Sequence, residues 1–184
     1  AEEYSVKTGI TVSGKCVNHE VDIVAENTSE TNMMECKFHS NQKSYCSVQH
    51  SLYVRARFWD IERKSEQDDT SLPRKFFGWL VTNTRFSSDA ITYGTCSGLR
   101  MMSWDFPLNS SLKDRIDRLG LHPVTSIISL SQKEKRELLA RNIVLCQSLN
   151  AEILESLGIT GTRIPDIIRE SASLCRRINE THIK

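Results

Sequence analysis

Two short apolar stretches, each interrupted by charge, constrain this chain more than any other feature. Val21-Asp22-Ile23-Val24-Ala25 sets a carboxylate in a β-branched run, and Met33-Met34-Glu35-Cys36-Lys37-Phe38 sets Glu and Lys two residues apart in another. Both read as strands by composition. On a strand, residues two apart share a face. Glu35 and Lys37 therefore project together, while Met34, Cys36 and Phe38 are expected to turn the other way, into the core. Charged groups in an apolar strand are costly unless partnered or put to use. The polar stretch 27–32, Asn-Thr-Ser-Glu-Thr-Asn, predicts a turn, which makes the two strands an antiparallel hairpin. Directly opposed residues share a face, so Asp22 has to meet Glu35 or Lys37. A slip of one residue would send it to the wrong side.

Around this hairpin the pattern predicts a strand over 5–13, the two hairpin strands over 16–26 and 33–38, and a helix over about 47–62. In that helix Val48, Leu52, Ala56 and Trp59 recur at helical spacing, with Tyr53 and Ile61 nearby. A charged loop is predicted over 63–74. Phe76 to Thr82 is a nearly continuous apolar run, of the kind buried on both faces. A short helix over 88–97, capped by Ser87 or Ser88 and ended by Gly98, leads to a strand over 99–104. The order β-β-β-α-β-α-β predicts an α/β fold: a mixed sheet with helices on both faces. From Ser110 the pattern turns all-helical. Asn109 or Ser110 caps a helix over 112–119 that Gly120 closes, and further helices are expected around 131–141, 150–157 and 163–179. The predicted division is an α/β core over 1–107 and an all-helical extension over 108–184, with no solenoid repeat.

Composition narrows the class. With 184 residues, 39% hydrophobic and 26% charged, the chain can build a packed core. A net charge of +1 neither demands nor excludes a nucleic-acid partner, because basic residues can cluster on one face. No run of about 18 apolar residues exists, so no membrane-spanning helix is expected. The start, Ala1-Glu2-Glu3-Tyr4, is not that of a signal peptide and lacks Met, which reads as a fragment with its upstream part missing. The six cysteines form no C-x-x-C pair. That spacing argues against structural zinc and predicts reduced, buried thiols in a cytoplasmic protein.

The charged strands suggest chemistry. Asp22 and Glu35, with the backbone carbonyl of Cys36, form a hard oxygen site suited to Mg²⁺, with Mn²⁺ as a substitute. Such a site favours hydrolysis of a phosphodiester, with Lys37 stabilising the charge that develops. Glu20 shares the face of Asp22 and reads equally as a second metal contact or a solvated strand-end carboxylate. His19 is expected to hydrogen-bond locally. Arg55, Arg57, Arg63 and Lys64, mixed with Asp60, Glu62 and Glu66, read better as a solvated face than as phosphate contacts. Gln49 and Tyr53, four apart, share a helix face. Arg85, after the apolar strand, is a candidate phosphate contact.

The succession strand–Asp–turn–strand–Glu-x-Lys–helix resembles the P-D/E-x-K nuclease superfamily. His19-Glu20-Val21-Asp22-Ile23-Val24-Ala25 and Met34-Glu35-Cys36-Lys37-Phe38-His39 resemble its Mrr-like restriction endonuclease branch. The likeness extends, more weakly, through Trp79–Thr84 and Ser88–Ile91, over roughly residues 4–106. It implies a restriction-endonuclease-like fold and metal-dependent cleavage of DNA in restriction or repair. It implies Asp22, Glu35 and Lys37 as catalytic residues, metal on Asp22, Glu35, Cys36 and Glu20, and a homodimer where both strands are cut. Gln49-x-x-x-Tyr53 is similar to a pattern that follows the Lys strand in RecB-like nucleases. Family members carry an upstream ATP-cone domain and a helix, often bearing Glu, before the first strand; this sequence begins after that point. Leu157-Gly158-Ile159-Thr160-Gly161-Thr162-Arg163-Ile164 resembles a helix-hairpin-helix element, which implies DNA contacts at Gly158, Gly161 and Arg163. Residues 131–145 resemble a degenerate first copy. Two alternatives stand beside this reading. One is a non-catalytic DNA-binding or assembly module that keeps the fold, and the other is a phosphodiesterase of the junction-resolvase kind.

Overall fold

The hairpin forms in the register that shares a face between the two carboxylates. The structure, a computed structural model, describes residues 3–68 and 75–175. The chain divides into two compact units, Ala1–Leu112 and Lys113–Lys184. In the first, β1 (Ser5–Ser13), β2 (Asn18–Glu26) and β3 (Glu30–Lys37) form an antiparallel meander. β4 (Tyr45–Cys46) and α1 (Val48–Asp68) lead to β5 (Lys75–Thr82), which pairs parallel to β3. β6 (Arg85–Phe86) pairs parallel to β4, and α2 (Ser88–Cys96) leads to β7 (Arg100–Met102), parallel to β5. The result is an α/β fold with a mixed five-stranded sheet in the order β1-β2-β3-β5-β7, flanked by helices.

One core holds Val21, Val24 and Met33 of the meander, Leu80 of β5, Met101 of β7, Val54, Phe58 and Ile61 of α1, and Ala90 of α2. In this unit α1 and α2 thus share a single face of the sheet, where the sequence predicted helices on both. The strand order explains it. Both crossovers, β3 to β5 and β5 to β7, advance in the same direction, and crossovers of one hand then lay their helices on one side. α1 approaches closely over Gly78, where a Cβ would lie 2.4 Å from a ring carbon of Phe58.

Several local expectations are corrected by this packing. The turn is shorter than 27–32. The Asn27 side chain accepts from the N–H groups of Ser29 and Glu30, closing the turn early. Thr31 and Asn32 are then buried strand residues, with Asn32 receiving the Trp79 indole at 2.8 Å. The buried face of β3 carries Met33, while Cys36 is exposed and Phe38 is 75% exposed, so the Met34–Phe38 face does not enter the core. The buried stripe of α1 is Ser51-Val54-Phe58-Ile61, and Leu52, Ala56 and Trp59 lie outward. β5 buries Gly78, Leu80 and Thr82 fully, and Phe77, Trp79 and Val81 only in part. The helix continues through 63–68, where a loop was expected; residues 69–74 of that loop lie outside the described residues. Of the cysteines, Cys46 and Cys146 are buried, but Cys16, Cys36 and Cys96 are exposed.

The second unit contains α3 (Leu112–Leu119), α4 (Gln132–Ala140), α5 (Ala151–Ser156) and α6 (Arg163–Leu174). The continuation of the last predicted helix over 176–179 lies outside the described residues. One backbone device recurs three times. A left-handed residue ends the helix (Gly120, Asn142 or Gly158), and the next apolar N–H reaches back to a helix carbonyl. These bonds run from Leu121 to Ile116, Ile143 to Leu138 and Ile159 to Leu154. Reciprocal bonds of 2.8 Å, Val124 to Val144 and Cys146 to His122, join the first two copies. Val124, Ile127, Leu138, Cys146, Leu154, Ile159 and Ile167 fill the core. No helix among the described residues is long and apolar enough to cross a membrane.

Candidate active site

The hairpin ladder pairs Val24 with Met33 and Ile23 with Met34. The ladder ends there, and beyond it Asp22 and Glu35 line the same cavity. The Asp22 Oδ2 accepts the Cys36 N–H at 2.7 Å, which fixes the carboxylate over the strand. From the helix above, Arg57 Nη1 donates to Glu35 Oε2 at 2.7 Å, with its guanidinium carbon 5.2 Å from the centre of the Tyr53 ring. A cavity of about 330 Å³ is lined by Glu20, Asp22 and Glu35 from the sheet and by Tyr53 and Arg57 from α1.

Burial pushes the Glu35 carboxyl above its ordinary value of 4.5. The Arg57 guanidinium pulls it back, and the Asp22 charge pushes it up again. A group balanced this way gains from any further positive charge that enters.

Asp60 anchors the strand that carries Asp22. Its carboxylate accepts from the N–H groups of Cys16 and Val17 and pairs with His19 Nε2 at 2.8 Å. The hydrogen bond from His19, with those from the backbone, brings the Asp60 carboxyl down to about 2. Gly14 permits the close approach, since a Cβ there would sit 2.1 Å from Asp60 Oδ2. These contacts overturn two expectations. Arg57, 9% exposed, and Asp60 are buried rather than part of a solvated face. His19 reaches 41 positions along the chain instead of bonding locally.

The other expected site residues are spread more widely. Lys37 shares the face of Glu35 by strand alternation, but it is the exposed last residue of β3, opposite Thr82. It lies outside the lining of the cavity. Gln49 is exposed in the first turn of α1 and also outside the lining. Arg85 is exposed on β6, with Nε 2.9 Å from Asp105 Oδ2. Gly158 and Gly161 adopt φ of 77° and 68°, with nothing within 4 Å of an added Cβ. The Arg163 guanidinium is already engaged. It holds both Glu134 oxygens, at 2.9 and 3.1 Å, and the Ser129 carbonyl at 3.1 Å.

Among the described residues, no three of His, Cys, Asp and Glu converge as a metal-holding group. Asp22 and Glu35 with water remain a fitting donor set for Mg²⁺, which is commonly held by one or two carboxylates and keeps several waters. Arg57 is the site residue that the sequence reading set aside. The signal was present, because Gln49, Tyr53 and Arg57 continue one stripe at spacing four.

Comparison with known proteins covers most of the chain. Residues 122–175 match the family model described as AF1548-like, C-terminal. An uncharacterized protein of Archaeoglobus fulgidus is 31% identical over 171 residues, covering 91% of this chain and 92% of that protein. The crystal structure of AF1548, a protein of unknown function, superposes with a TM-score of 0.68 at 29% identity, covering 94% of this chain and 89% of the other. This chain belongs to the AF1548-like family.

Proposed function

We propose that this protein is a divalent-cation-dependent DNA endonuclease of the P-D/E-x-K kind, similar to the Mrr-like branch, with its site on Asp22, Glu35 and Lys37. The observation that supports this reading is the cavity that Asp22 and Glu35 line together beneath α1, with the Asp22 carboxylate accepting the Cys36 N–H. Lys37 shares the face of Glu35 by strand alternation. Asp22 and Glu35 would hold Mg²⁺ or Mn²⁺, with the Cys36 carbonyl and water as further oxygen donors. The chemistry that such a cation supplies when bound is charge neutralisation at the phosphodiester and a water of lowered pKa. Arg57 holds the Glu35 carboxylate in place and opposes the rise that burial imposes on its pKa. Lys37 presents an ammonium at the mouth of the site, where negative charge develops on the phosphate. Asp60 holds the strand that carries Asp22.

The test is cleavage of supercoiled plasmid in Mg²⁺ or Mn²⁺. Nicking or linearisation by the wild type, abolished by chelator and absent in Asp22→Ala and Lys37→Ala, is the expected result. A folded wild type that binds DNA and never cuts it under either metal would overturn the reading. One observation favours a second reading, a DNA-binding or assembly module that keeps the fold without catalysis: the Glu35 carboxylate already has a cation, Arg57, at 2.7 Å.

A further inference from the structure

The carboxyl ends of the parallel strands β3 and β5 lead into a second cavity, of about 550 Å³, separate in its lining from the first. Crevices beyond the carboxyl ends of parallel strands are where α/β sheets commonly receive ligands. Its walls come from β4, β6 and the residue after β7's turn. Tyr45 and Arg85 are register partners across β4 and β6. Their neighbours Cys46 and Phe86 are buried, so alternation turns Tyr45 and Arg85 outward. The Trp104 N–H bonds the Thr84 carbonyl at 2.9 Å and brings a second aromatic to the same wall. Lys43 completes the basic rim.

The frame is held in place. The Asn83 side chain accepts from the His39 N–H and donates to the His39 carbonyl, both at 2.8 Å. Asn41 turns the segment before Tyr45 by accepting from Lys43 N–H on its side chain and from Ser44 N–H on its carbonyl. Tyr45 is nevertheless 58% exposed and Trp104 42% exposed. Two large rings left in water beside two cations suit a ligand with a flat apolar face and an anionic group. The volume falls within the range of roughly 300–1,000 Å³ typical of pockets for small ligands. Asp105 now neutralises Arg85, and a phosphate would compete with it.

We propose that this cavity takes one unpaired nucleotide of DNA, its base against Tyr45 and Trp104 and its phosphate at Arg85 and Lys43. The choice of DNA rests on the nuclease reading; the stacking and the charge do not. Such a site would direct the protein to strands that are frayed, bulged or branched, where a base is free of its partner.

The test is fluorescence anisotropy of a labelled single-stranded DNA 12-mer, with chelator present so that cleavage plays no part. Base stacking on one ring implies that Trp104→Ala and Tyr45→Ala each weaken binding about tenfold, while Trp104→Phe stays within about threefold of wild type. Arg85→Ala is expected to lower the salt dependence by about one phosphate's worth. Chelator keeps the cation out of the Asp22–Glu35 site in every arm, so a failure of the catalytic reading does not mimic a failure here. Wild-type binding by both alanine variants, no binding of single strands by wild type, or a Phe variant as weak as the Ala variant would each overturn the proposal. Tighter binding of an RNA 12-mer than of the DNA would overturn the assignment to DNA.

Discussion

Each unit of this protein contains a Glu–Arg pair at hydrogen-bond distance, and the two behave oppositely. In the second unit, Glu134 receives both terminal nitrogens of Arg163 and the Ser131 N–H at the start of α4. The Arg163 hydrogen bonds, helped by Ser131, bring its carboxyl down to about 2. In the first unit, Glu35 receives one bond from Arg57, is desolvated, and faces Asp22; burial holds its carboxyl above 4.5 despite the guanidinium. A carboxylate with several donors is finished as a structural clamp. A carboxylate with one donor and a like charge opposite retains demand for a cation, and perturbed groups of that kind concentrate at functional sites.

The largest effect expected from breaking this contrast is on activity. Lys37→Ala should reduce plasmid cleavage by about 10²–10³-fold, the usual loss of one charge-stabilising group. The melting temperature should barely move, since Lys37 is exposed. Next comes Gly78→Ala, which pushes α1, and Arg57 with it, away from the sheet. Overpacking of this kind costs about 1–3 kcal/mol in chemical denaturation, and cleavage should fall as well. Arg57→Gln sharpens the contrast by removing the cation hydrogen-bonded to Glu35. The Glu35 carboxyl should rise further, and the acid limb of the pH–rate profile should move to higher pH.

The smallest effects are in stability against pH, and their signs differ. The Glu134 carboxyl is depressed on folding, so its contribution is present above 4.5 and lost as pH falls through about 2. Glu134→Gln should therefore cost at most about 1 kcal/mol near neutrality, as befits an exposed Arg partner, and nothing near pH 2. The Glu35 carboxyl is raised, so the wild type loses stability as pH rises from 4.5 through the folded value. Thermal melts of Glu35→Gln should show the variant gaining on wild type over that window. Gln keeps an acceptor for Arg57, which isolates the charge.

Much of this was legible in the sequence because strand alternation and hairpin register act over short distances. Glu35 and Lys37 could be put on one face from spacing, with Asp22 joining them only on condition of the hairpin register, and Ser87 and Gly98 mark the ends of α2 as expected. What failed were judgements about which side of an element meets the core. Trp59 and Leu52 made one stripe of α1 look buried, but Phe58, Val54 and Ile61 formed a competing stripe a short rotation away. Arg57 and Asp60 looked solvated because their partners, Glu35, Cys16 and His19, are distant in sequence. The repeat in the second unit was legible only in part, at Gly120, Gly158 and the degenerate copy over 131–145, because Gly120, Asn142 and Gly158 share a backbone conformation and not a residue type.

The contrast between the two glutamates is tested most directly by a carboxyl ¹³C NMR titration of the wild type, run with and without Mg²⁺. The expected result is Glu35 titrating above 4.5 and Glu134 at about 2, with Mg²⁺ shifting Asp22 and Glu35 and leaving Glu134 unmoved. A Glu35 that titrates below 4.5, or Mg²⁺ that disturbs neither Asp22 nor Glu35, would contradict it.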